Sequence, residues 1–212
     1  MESGYIILRI DVDYPYPSRV KSFLHIALNI KTSRDYLRNS KILAETINKS
    51  AEKVKAYWFF TTKTMPDNEL LTLLTEDKHE VSLHVVNNPE QERIQLEKAT
   101  KRKTRFYTIH GTKWLLARII WKRLKTNRPS IPKDFPLQSF HEFPTVPLDA
   151  ICYSHPTEQA TRIAEDKIKE GKALEIHPIW LFQKGKINHR GPFYETLRRI
   201  LRVDKESSIE RN

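Results

Sequence analysis

His79-Glu80-Val81-Ser82-Leu83-His84-Val85 sorts its side chains by parity. Successive residues of a β-strand point to opposite faces. Glu80, Ser82 and His84 therefore share one face, and Val81, Leu83 and Val85 the other. A parallel strand covered by helices on both sides reads as an unbroken apolar run. One polar and one apolar face instead predict a sheet curled into a barrel, with helices outside and polar groups within. The same alternation recurs in Tyr5–Asp13, where Ile7, Arg9, Asp11 and Asp13 share a face. It recurs again where Glu175 and His177 oppose Leu174 and Ile176, and where His110 sides with Thr108. Arg9 then lies inside, and buried charges need partners. The pattern predicts that it pairs with Glu175 or Glu80.

Outward from these stretches the chain alternates strand with helix. Strands are predicted at Tyr5–Asp13, Val54–Thr62, His79–Val86, Arg105–His110, Asp149–Ser154 and Ala173–Leu181. Helices are predicted at Arg34–Lys53, Asp67–Asp77, Pro89–Lys101, Thr112–Leu124, Thr157–Glu170 and Pro192–Leu201. Repeated strand–helix units argue for an α/β domain with a parallel sheet. The expectation is one distorted (β/α) barrel of about six to seven strands over residues 1–212. Only five glycines are present and no Gly-rich phosphate loop. A dinucleotide fold and a P-loop NTPase are thereby disfavoured. Residues 127–148 break the rhythm with Pro129, Pro132, Pro136, Pro144 and Pro147. Such a segment is a functional lid, a plain insertion, or one concealed strand around Leu137–Phe143.

The 212 residues suit one domain, with 39% hydrophobic, 10% aromatic and 30% charged residues. That is enough apolar content to build a core. Cys152 is the single cysteine, which excludes an internal disulfide and a cysteine-rich zinc knuckle. No run approaches the ~18–20 apolar residues of a membrane span. Met1-Glu2-Ser3-Gly4 lacks a basic leader, so a cytoplasmic location is expected. The formal charge of +11 permits an anionic partner without proving one. Its prominent runs, Lys98–Arg105 and Lys122–Arg128, fall at predicted helix ends, where cations are favoured anyway. They read as a solvated face away from the site, and nucleic acid is an unlikely partner.

Ligands of parallel α/β folds bind at the C-terminal ends of the strands. There the sequence places Asp11, Asp13, His84, His110 and His177. Carboxylates and imidazoles with open positions suit zinc or a similar divalent ion. The chemistry such a cluster supports is metal-assisted hydrolysis.

The order of these residues resembles the polysaccharide deacetylase proteins (NodB homology, carbohydrate esterase family four). The matching pieces are Arg9-Ile10-Asp11-Val12-Asp13, His79-Glu80-Val81-Ser82-Leu83-His84 and Leu174-Glu175-Ile176-His177-Pro178, with His110-Gly111 between them. The resemblance implies a distorted barrel of about seven strands and a divalent metal, zinc by expectation. It implies Asp11 as general base, Asp13 and His84 as metal ligands, and His177 as general acid. Leu174 and Trp180 would line an apolar pocket. Apart from the resemblance, Arg19 follows Tyr14–Ser18 in the loop above the site, where it would meet an anionic substrate group, and His110 at its strand end would also meet substrate.

Two departures stand out. The family's second metal histidine falls on Asn88, a weak zinc ligand, with His110 as the nearest substitute. The fourth-strand arginine that braces the base is missing, since Tyr107-Thr108-Ile109-His110 offers none and Arg105 lies too far back. The implied activity is cleavage of an N-acetyl or other amide C–N bond on a carbohydrate or small polar substrate. The alternative is a degenerate barrel that binds an anionic partner.

Overall fold

The computed structural model describes residues 4–12, 35–109, 129–178, 182–183, 186–187 and 192–204. The strands are β1 (Ile6–Val12), β2 (Val54–Phe60), β3 (His79–Val85), β4 (Phe106–Ile109), β5 (Gln138–Ser139), β6 (Thr145–Pro147) and β7 (Ala173–Ile176). A short antiparallel hairpin follows, β8 (Phe182–Gln183) and β9 (Lys186–Ile187). The helices are α1 (Asp35–Asn48), α2 (Asn68–Leu73), α3 (Pro89–Thr100), α4 (Leu148–Ser154), α5 (Thr157–Lys169) and α6 (Pro192–Ile200). Among the described residues, no helix is long and apolar enough to cross a membrane.

The seven-stranded sheet has the order β5-β4-β3-β2-β1-β7-β6, and all its pairs are parallel. This is chain order read around a circle, with only the β5–β6 link missing. Laid flat, seven strands would hold their edges about 29 Å apart. Yet β5 and β6 are joined by residues 140–144 alone, whose six Cα steps reach at most ~22 Å. The sheet must therefore curl toward closure, giving the distorted half-barrel that the parity of β3 predicts.

Two cores follow from the curl. The outward parity packs against the helices: Leu8 and Ile10 of β1, Trp58 and Phe60 of β2, Val81 and Leu83 of β3, and Leu174 and Ile176 of β7. The inward parity supplies a smaller aromatic cluster of Phe59, Phe140 and Ala173, flanked by Ile7, Tyr57, Phe106 and Phe143. Phe140 enters it from a 3₁₀ turn (Phe140–Glu142) in the β5–β6 connection. Its ring lies 5.1 Å from Phe59 and 4.7 Å from Phe143, centroid to centroid. One residue of the connecting loop thus plugs the barrel at its seam.

The proline-rich segment is therefore part of the sheet over its described residues. It carries β5 where a concealed strand was sought, and β6 besides. The strand predicted at Asp149–Ser154 is instead the helix α4. A strand would bury alternate residues. Here Leu148 and Cys152 are buried one helical turn apart, while Tyr153 is 66% exposed. The hairpin β8–β9 was not anticipated, and β7 stops at Ile176 rather than Leu181. The helix predicted at Thr112–Leu124 lies outside the described residues.

Candidate functional site

Adjacent strands β1 and β7 build the site. Their register sets Arg9 beside Glu175 and Ile10 beside Ile176, so one step further Asp11 is level with His177. Asp11 is 3% exposed and Arg9 7%. The Arg9 guanidinium donates from Nε to Asp11 Oδ1 at 3.0 Å and from Nη2 to Oδ2 at 2.5 Å. Its Nη1 lies 3.5 Å from Glu175 Oε2, and its face is 5.9 Å from the centre of the Phe59 ring. The predicted Arg9–Glu175 pair is present. Glu80 pairs instead with Arg105, whose Nε donates to Glu80 Oε1 at 2.9 Å.

Glu175 also faces His177, with Oε1 3.8 Å from Nε2. The other ring nitrogen of His177, Nδ1, is 3.1 Å from Asp149 Oδ2. Asp149 comes from the first turn of α4 and is buried. Burial and the neighbouring Asp11 charge push the Glu175 carboxyl above its ordinary range, against the pull of Arg9 and His177.

Across the barrel, His84 closes β3 on the inner face and is 2% exposed. Its Nδ1 lies 2.6 Å from the Thr108 hydroxyl, its register partner on β4. A metal-binding imidazole is typically held in this way through its second nitrogen. Asn88 is placed differently. It is exposed and caps α3, its side-chain oxygen accepting from the Gln91 N–H at 3.1 Å. Leu174, expected to line a pocket, is fully buried in the outer core. Parity sends it to the helices, away from Asp11. Asp13, Arg19, His110 and Trp180 lie outside the described residues.

Three members of the site escaped the sequence. Arg9 was assigned to Glu175 but not to Asp11, although the two share a strand face. Glu175 was read only as a partner for Arg9, yet its carboxylate spans from Arg9 up to His177. Asp149 was hidden by the strand assigned to its segment. Asp11, Glu175 and His177 each offer a potential ligand atom, and these atoms lie within 4.8 Å of one another. Arg9 already stands there as a cation against both carboxylates.

No family model matches the chain, and no curated protein matches it. Two solved structures do. One is a wild-type CE4 family pseudoenzyme from Bacillus anthracis, with a TM-score of 0.51 and 14% identity over 94% of this chain and 62% of that one. The other is a mutant of that protein with restored enzymatic activity, with a TM-score of 0.50 and 14% identity over 94% of this chain and 64% of that one. This chain thus spans under two thirds of the length of either match. The barrel has the CE4 fold, in keeping with the divergent polysaccharide deacetylase-like protein that its strand-end motifs resemble.

Proposed function

We propose that the chain is a metal-dependent hydrolase cleaving an N-acetyl or other amide C–N bond of a sugar-like or small polar substrate. The observation that carries this reading is the pairing of Asp11 and His177 at the ends of neighbouring strands, each with its own buried partner. Asp11, aligned by Arg9, takes the proton of the attacking water. His177, its ring held by Asp149, protonates the leaving nitrogen from Nε2.

The donor set fits a divalent ion in part. His84 has the second-nitrogen anchor that a ligand needs, and Asp13 is the carboxylate assigned with it. Asn88 is spent on a helix cap, which leaves His110 as the further candidate. When bound, the metal would polarise the scissile carbonyl and lower the pKa of water. The test is metal analysis of chelator-free protein, with hydrolysis of N-acetylated sugars as the second readout. Asp13→Ala or His84→Ala should abolish metal uptake while the fold survives. Stoichiometric zinc retained in both variants would refute the assignment.

A degenerate barrel that binds an anionic partner is the second reading. It is favoured by the Asn88 cap and by the full occupation of both Asp11 oxygens by Arg9. A chain with no affinity for zinc, cobalt or nickel would decide for it.

A further inference from the structure

Five charged side chains run without a gap from β1 across β7 to α4. Asp11 meets Arg9 at 2.5 Å, Arg9 meets Glu175 at 3.5 Å, Glu175 meets His177 at 3.8 Å, and His177 meets Asp149 at 3.1 Å. The signs alternate along the whole run when His177 is an imidazolium. Glu175 is the link, because Oε2 faces Arg9 while Oε1 faces His177 Nε2.

We propose that Glu175 is a positioning residue, whose carboxylate pairs as a counter-charge with the His177 ring across 3.8 Å at Nε2 while Arg9 ties that carboxylate to Asp11. This rests on the reading of His177 as the proton donor. The argument is one of donors and acceptors. A neutral imidazole carries one N–H and one bare lone pair. With Nδ1 donating to Asp149, a neutral ring would turn its Nε2 lone pair on the Glu175 carboxylate, acceptor against acceptor. A proton on Nε2 turns that conflict into an ion pair. It is also the proton that must reach the leaving nitrogen. Asp149 from α4, Glu175 from the same strand and Asp11 from β1 are charged groups near the ring, and Arg9 stands behind Glu175. The three carboxylates favour its charged form, and Arg9 opposes it at longer range. Arg9 also keeps Glu175 from swinging toward solvent, to which its side chain is 22% exposed.

The test is the titration of the His177 ring by NMR in the full chain, with its resonance assigned by loss in His177→Gln. Glu175→Gln removes the charge and keeps the shape. It should lower the titration midpoint of His177 by about one pH unit or more, as loss of an opposite charge within ~4–6 Å does. Glu175→Asp keeps the charge but draws it back, and should lower the midpoint part of the way. That variant carries the comparison if Glu175→Gln does not fold. A midpoint equal to the wild type in either folded variant, while Asp149→Asn moves it, would overturn the inference. The measurement needs neither substrate nor metal. A chain that hydrolyses nothing yet shows these shifts defeats only the hydrolase reading. An active chain whose His177 ignores residue 175 defeats only this one.

Discussion

Arg9 reaches two residues along its own strand and closes both oxygens of Asp11 in one fork, Nε to Oδ1 at 3.0 Å and Nη2 to Oδ2 at 2.5 Å. Both residues are more than nine-tenths buried. Breaking a buried pair by removing one partner costs about 3–5 kcal/mol, because the other charge stays behind unpaired. Arg9→Met strands Asp11 and Glu175 together, so its loss should fall in that range. Arg9→Lys keeps the charge and loses the planar fork, so it should cost less. Urea unfolding of the two variants checks the order, and a neutral Arg9→Met would show the fork to be dispensable.

His79 supplies a pH dependence of the opposite face. Trp58 Nε1 donates to His79 Nδ1 at 2.9 Å, and His79 Nε2 donates to Asn48 Oδ1 at 2.8 Å. The ring is thereby fixed as the neutral tautomer. Burial lowers its pKa from the ordinary 6.5 to about 4. A histidine kept neutral by folding contributes stability that is present above 6.5 and lost as the pH falls toward 4. The whole effect is on the order of 3 kcal/mol. The unfolding free energy of the wild type should therefore drop between pH 6.5 and 4 more steeply than that of His79→Gln. Parallel curves for the two proteins would count against it.

The inner and outer faces of the barrel were legible because period two survives in any strand with a wet and a dry side. Glu80, Ser82 and His84 stand inward on β3, and Val81 and Leu83 outward, as their alternation requires. The edges were not legible for the same reason. Gln138–Ser139 and Thr145–Pro147 are too short to show a period, and their prolines read as loop. Asp149 was lost with them, since a short amphipathic helix beginning at Leu148 resembles a strand over seven residues. Asn88 carried a second signal that the family spacing obscured. An Asn directly before Pro89 is a helix N-cap signal, and the family spacing drew it toward the metal instead.

The Asn88 cap can be separated from any metal role. Its oxygen satisfies the Gln91 N–H, and Pro89 follows at the first helical position. Asn88→Ala should cost about 1 kcal/mol of stability and leave zinc affinity unchanged. Asn88→Ser should restore most of the stability. A fall in zinc affinity in calorimetry, with stability untouched, would return Asn88 to the ligand set.

Cys152 sits in α4 beside the site but is closed to chemistry. Burial pushes its thiol up to about 11, with Thr196 hydrogen bonding against that rise and the Asp149 charge adding to it. The thiolate is the reactive form, so at pH 8 the native chain should react with a thiol reagent only as fast as it opens. Adding urea past the unfolding midpoint should expose one fast-reacting thiol. Rapid labelling without denaturant would show that α4 does not stay packed against α6.

Thr108 offers the most direct test of which imidazole serves a metal. Its hydroxyl lies 2.6 Å from His84 Nδ1, deep on the inner face, and both residues are buried. Removing the partner of a ligating histidine typically costs 10–100-fold in metal affinity. Thr108→Val keeps the shape and withdraws the hydroxyl, so zinc affinity should fall by about that factor, with a loss of about 1–3 kcal/mol in urea unfolding from the buried hydrogen bond. Thr108→Ser should preserve the affinity. The same Thr108→Val change leaves the Asp149–His177 contact untouched, since that lies across the barrel on β7 and α4. If zinc affinity were indifferent to Thr108 and lost instead in His177→Ala, the ion would belong with Asp11 and Glu175. His177 would then be a ligand and not the acid.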